Sequence, residues 1–179
     1  ETGLKFKTIK EKILVKGGDD YDAELKYSVH GPVTFVDKKR NRAYAVRCGW
    51  LEVGGSPYLA SLRMNQSYSW DEFREACNYS NIPGENMVWA DKDGNIGWQA
   101  VGIAPIRNTH SGLVPVMGDG NYEWDGYLPI VDKPNIFNPE EEYFATANQN
   151  VTPESYNEWN AIGFSLSLIH ISEPTRLQQ

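Results

Sequence analysis

Cysteine is scarce: Cys48 and Cys77 are the two in a chain of 179 residues. They form no CxxC pair, and with three scattered histidines (His30, His110, His170) they give no zinc-ligand spacing. Both read as small buried hydrophobes rather than as a disulfide. Long apolar runs are missing as well. None approaches the roughly 20 residues that a helix needs to cross a bilayer, so no membrane partner is expected. Positive charge is in short supply, with Lys+Arg 17 against Asp+Glu 24 and a formal net charge of −7. That balance, without a basic stripe, argues against nucleic acid. The sequence has no GxSxG and no HExxH. Glu1–Lys5 do not form a signal peptide, so an export signal is either lacking or lies outside this chain.

What is present is ordinary for a globular protein: 40% hydrophobic and 23% charged residues. The length suits one domain or a slice of a larger one. The first fifty residues read as strands in antiparallel hairpins. Lys5–Lys16 alternates in part and breaks at Gly17-Gly18-Asp19-Asp20. Ala23–Val29 alternates, His30-Gly31-Pro32 punctuates, and Val33–Val36 resumes. A polar turn at Asp37–Asn41 leads to the apolar Arg42–Trp50. Two helices are predicted next. Ser56-Pro57 offers a cap residue and then proline at the first helical position. Ser69-Trp70-Asp71-Glu72 is a capping box, followed by an apolar stripe at Phe73, Ala76 and Cys77. Met87–Ala90 and Ile96–Val101 flank an Asp-Gly turn, the clearest hairpin of the chain. Between Pro105 and Pro153 lie six of the ten prolines, so this region is loop-rich, ending in a short strand at Tyr143–Ala147. There is no internal repeat.

Several residues invite chemistry. Asp91-Lys92-Asp93-Gly94-Asn95 resembles the start of a calcium loop, but the twelfth position is Gly102 where a bidentate Glu is needed. A hairpin turn accounts for it better. His30 is a candidate base, but no serine or cysteine in a nucleophile motif accompanies it, so a structural histidine at a strand end is the simpler reading. Six Trp and ten Tyr could line a sugar or peptide groove, or pack a core. Glu140-Glu141-Glu142 reads as a solvated loop. Asn148 and Asn150 follow a strand end, where a fixed side-chain NH2 can stabilise an oxyanion or cap a turn.

Taken in order, several stretches resemble the penicillin acylase family of N-terminal-nucleophile hydrolases. They are Ile13–Gly17 with Tyr27–Val33, then Trp70–Ala76, Asn86–Trp98, Tyr122–Pro129 and Ala145–Asn150. The likeness runs from about Ile13 to Phe164. It implies an α+β fold, a partial αββα sandwich of antiparallel sheet strands plus two helices. It also implies a self-cleaving precursor in which an N-terminal serine of the β subunit attacks an amide, with its own α-amine as base. Substrates would be penicillins, cephalosporins or N-acyl homoserine lactones. The family's oxyanion asparagine carries onto Asn148, with Asn150 as fallback. The nucleophile is absent from this chain, so the expectation is an internal β-subunit piece, inactive alone. Its expected partners are the small amide substrate, the α subunit and the rest of the β subunit. No cofactor is assigned; calcium is common in the family, but most of its positions fall outside this sequence. The resemblance also implies a periplasmic or secreted setting. The competing reading is a non-catalytic, aromatic-rich β-domain that binds sugar or peptide.

Residues 1–165 are read as the partial acylase-like domain. Residues 166–179, which include Leu166-Ser167-Leu168-Ile169-His170-Ile171-Ser172-Glu173-Pro174-Thr175-Arg176, resemble a translated sequencing adapter and are read as a non-native tail.

Overall fold

The computed structural model describes residues 5–147, 151–152 and 155–156. The described chain is α+β and divides into two compact units.

The first unit comprises the residues up to Glu52 together with Leu113–Glu123. It holds an antiparallel sheet of β1 (Lys7–Ile13), β2 (Tyr21–Ser28), β3 (Gly31–Asp37) and β4 (Arg42–Ala45), in that order. Across β1 and β2, Lys10 faces Glu24 and Lys12 faces Asp22, and both pairs form ion bridges at 3.9 and 3.1 Å. These exposed pairs select register and contribute little stability, each roughly 0.2–1 kcal/mol. Gly31 and Pro32 do not interrupt the strands as the sequence implied. They start β3, opposite Ser28 and Tyr27, so the connection shrinks to Val29-His30. Gly31 has φ 131°, and a Cβ there would stand 2.2 Å from the Val46 carbonyl oxygen, so only glycine can occupy it. The expected strand Arg42–Trp50 is shorter: it ends at Ala45 and gives way to a 3-10 turn at Gly49–Leu51.

The second unit is Val53–Gly112 with the chain from Trp124 onward. Helix α2 (Trp70–Cys77) forms where the capping box places it. Ser69 Oγ accepts from the Glu72 N–H at 3.2 Å, and the Glu72 carboxylate reaches back to the Tyr68 N–H at 2.7 Å. Helix α1 departs from expectation. It spans Ala60–Met64 and has no side-chain cap. Ser56-Pro57 cannot start it, because Tyr58 sits at φ 62°, left-handed, and breaks any helical path leaving Pro57. Arg63 of α1 pairs with Glu75 of α2 at 2.5 Å.

The hairpin of β5 (Asn86–Ala90) and β6 (Ile96–Ala100) is as the sequence indicated, with Gly94 at φ 89° in the turn. A third strand, β7 (Asn135–Phe137), pairs with β6. Tyr143–Ala147, expected as a short strand, form none. Asn138, in the left-handed region at φ 47°, ties β7 to the turn: its Oδ1 accepts from the Ile96 N–H and its Nδ2 donates to Asn95 Oδ1. The core is Phe73, Cys77, Val101 and Ile130, with Met64, Trp70, Met87 and Trp89 packed on it. Trp70 lies on the bare backbone of Gly97, where a Cβ would come within 2.6 Å of the indole.

Candidate functional site

The two residues expected to donate to an oxyanion, Asn148 and Asn150, lie outside the described residues, as do 166–179. The approach to Asn148 is described. Phe144 stacks on Trp98 with ring centroids 4.7 Å apart. Trp98 is buried in β6, and its indole N–H donates to Asn86 Oδ1 at 2.8 Å on β5. A rigid indole therefore holds the chain four residues before Asn148.

Behind β6 is a polar node that the sequence did not disclose. Gln99 is fully buried, with its Nε2 donating to the carbonyls of Ile130 at 2.9 Å and Ala100 at 3.0 Å. Arg74 of α2 donates from Nε to Gln99 Oε1 at 3.0 Å and from Nη2 to the Val131 carbonyl. Lys133, also buried, donates from Nζ to the carbonyls of Val101 and Gly102 at 2.8 and 3.0 Å. Burial pushes its pKa down to about 8. The node joins α2, β6 and the 3-10 turn Ile130–Asp132. Alternation along a strand would have placed Gln99 on one face or the other, but nothing in it marks a buried amide.

In the first unit, His30 Nε2 and Glu123 Oε1 lie 2.6 Å apart, within hydrogen-bond distance. The other carboxylate oxygen accepts from Arg47 Nη1 at 2.7 Å. Arg47 Nε also lies 3.7 Å from Glu52. His30 thus stands beside an oriented carboxylate, but the serine nearest in sequence, Ser28, spends its hydroxyl oxygen on the His30 backbone N–H. The cluster clamps the β2–β3 hairpin end to Glu123, 93 residues away, which no local pattern announces.

Other candidates resolve as structure. Asp91 Oδ1 accepts from the N–H groups of Asp93 and Asn95, both at 2.9 Å, and Oδ2 accepts from Asn95 Nδ2. The Asn95 bond leads in holding its carboxyl below the usual range. Among the described residues no group of three or more His, Cys, Asp or Glu could hold a metal ion. Cys77 is buried and Cys48 half-buried, both free thiols. Burial raises Cys77 to about 12, so it is no nucleophile at neutral pH. Glu140, Glu141 and Glu142 are exposed. No helix among the described residues is long and apolar enough to cross a membrane.

Comparison with known proteins gives these features a setting. The family model described as penicillin amidase matches residues 2–179. Penicillin G acylase of Escherichia coli is 29% identical over 148 residues, covering 82% of this chain and 17% of that protein. The acyl-homoserine lactone acylase QuiP of Pseudomonas fluorescens Pf-5 is 44% identical over 82 residues, 42% of this chain and 10% of that protein. Among solved structures, the thermostable penicillin G acylase from Alcaligenes faecalis superposes with a TM-score of 0.75 at 30% identity, over 87% of this chain and 28% of that one. The chain therefore spans under a fifth of these curated relatives. With a family match along nearly its whole length and a fold shared with a solved acylase, the chain belongs to the penicillin amidase family.

Proposed function

We propose that this chain is an internal β-subunit segment of an amidohydrolase that cleaves a linear non-peptide amide. The amide would be a penicillin or cephalosporin side chain, or the acyl chain of an N-acyl homoserine lactone. The observation that carries this reading is the penicillin amidase match over residues 2–179, alongside acylases of both kinds among the relatives.

On this reading an N-terminal serine, contributed by sequence outside residues 1–179, attacks the amide carbonyl. Its α-amine takes the proton; the ordinary α-amino pKa of ~7.7–8.0 leaves it able to do so near neutrality. The acyl-enzyme then loses its acid to water. Asn148 donates its side-chain N–H to the tetrahedral oxyanion, with Asn150 as the fallback. The Phe144–Trp98 stack supports this assignment, because an oxyanion donor must be held in place before the reaction begins. The complete enzyme carries the αββα sandwich, with an α subunit and the rest of the β subunit covering this segment, and works in the periplasm or outside the cell. Segment 1–179 alone has no turnover. Separately, the likeness of residues 166–179 to a translated sequencing adapter supports reading them as a non-native tail, although the family match extends over them; a native genomic locus encoding Leu166–Gln179 in frame would overturn that.

The test is mutagenesis in the full-length protein. Asn148→Ala lowers the acylation rate by roughly 10²–10³-fold with the thermal melt unchanged, the loss typical of one oxyanion donor. If Asn150→Ala carries that loss instead, the fallback is correct. If neither changes turnover, both leave the site.

A further inference from the structure

Arg107 is a half-buried cation in the second unit, just beyond the short pairing of Pro105 with Tyr127. Its guanidinium carbon lies 5.5 Å from the centroid of the Trp124 ring. Gly112, at φ 78°, closes on it so tightly that a Cβ there would stand 2.8 Å from Nε. Among the described residues the guanidinium makes no hydrogen bond and no ion pair. Burial holds its pKa below the usual arginine range.

The missing counter-ion is not for want of an acid nearby in sequence. Asp125 follows Trp124 directly, and its N–H donates to the Ile106 carbonyl at 2.9 Å. Its Oδ2, however, accepts from the neutral amide of Asn108 at 2.7 Å. The adjacent carboxylate is thus spent on an uncharged partner while the cation beside it keeps five unused donors. A solvated surface arginine would need neither an indole platform nor a glycine pressed against its root. Here both restrict the side chain, which lowers the entropy cost of ordering it at the moment of binding.

We propose that Arg107, on its Trp124 platform, anchors a carboxylate-binding site. A carboxylate matches the planar fork bidentately. A multiply charged phosphate suits a chain of net charge −7 less well, since the global field repels it more strongly. The carboxylate comes from a small ligand or from an acidic side chain of the full-length protein. The inference does not depend on amide cleavage.

The experiment is an NMR titration of the full-length protein with benzoate, and with neutral benzamide as control, joined to its crystal structure. Saturable benzoate binding that benzamide lacks, weakened about tenfold or more by Arg107→Gln and less by Arg107→Lys, identifies a small-ligand site. An Asp or Glu within 4 Å of the guanidinium in the crystal identifies an internal carboxylate. Benzoate binding unchanged in Arg107→Gln, or no binding together with no acidic side chain at Arg107, overturns the proposal.

Discussion

Lys133 places an ammonium where, among the described residues, it meets two carbonyls and pairs with no acid. With its pKa near 8 in the folded protein and ~10.4 in an unfolded chain, the unfolded state holds more protons between those values. Stability should therefore rise with pH over that window, by up to about 3 kcal/mol, and the burial cost is fully present below pH 8. Urea melts of the full-length protein at pH 7.5 and 9.5 check this, and Lys133→Met should flatten the slope. Gly97 is a second sensitive position, because the Trp70 indole occupies the space a methyl would take. Gly97→Ala should cost about 1–3 kcal/mol. Combining it with Trp70→Leu should recover part of that, so a double-mutant cycle will show coupling rather than additivity.

At the level of elements, helix α2 depends on its first turn. Ser69→Ala removes the acceptor for the Glu72 N–H and should lower stability by about 1 kcal/mol, while Ser69→Asp should hold it, both read from denaturant midpoints. This helix and the β5–β6 hairpin were legible because their signals are local: a capping box, and Asp-Gly at a left-handed turn. The reading failed where a local signal met a backbone that contradicts it. Pro57 is a good first helical residue in general, but Tyr58 turns left-handed behind it. Tyr143–Ala147 has strand-forming residues yet forms no strand, whereas Asn135–Phe137, which the sequence did not mark as a strand, pairs with β6. Which segment pairs is set by tertiary context and leaves no trace in composition. The candidate site is a different case. Asn148 and Asn150 were assigned by resemblance alone and lie outside the described residues, whereas the Gln99–Arg74 node and the Glu123 clamp join residues 25 to 93 positions apart and were invisible in the sequence.

For the molecule as a whole, the first unit leaves large apolar side chains in solvent, among them Leu14 at 77% and Val29 at 71% exposure. Exposed strands with such faces favour association. Residues 1–179 expressed alone should sediment as aggregates or bind a hydrophobic dye. A monodisperse, cooperatively melting product would contradict this. The unit also closes on itself late. Glu123, which holds both His30 and Arg47, follows Arg47 by 76 residues. At ordinary translation speeds that is a wait of roughly 4–15 s on the ribosome. For that interval the hairpin tip at His30 lacks its Glu123 clamp, an opening in which a chaperone can hold the chain and a protease can cut it.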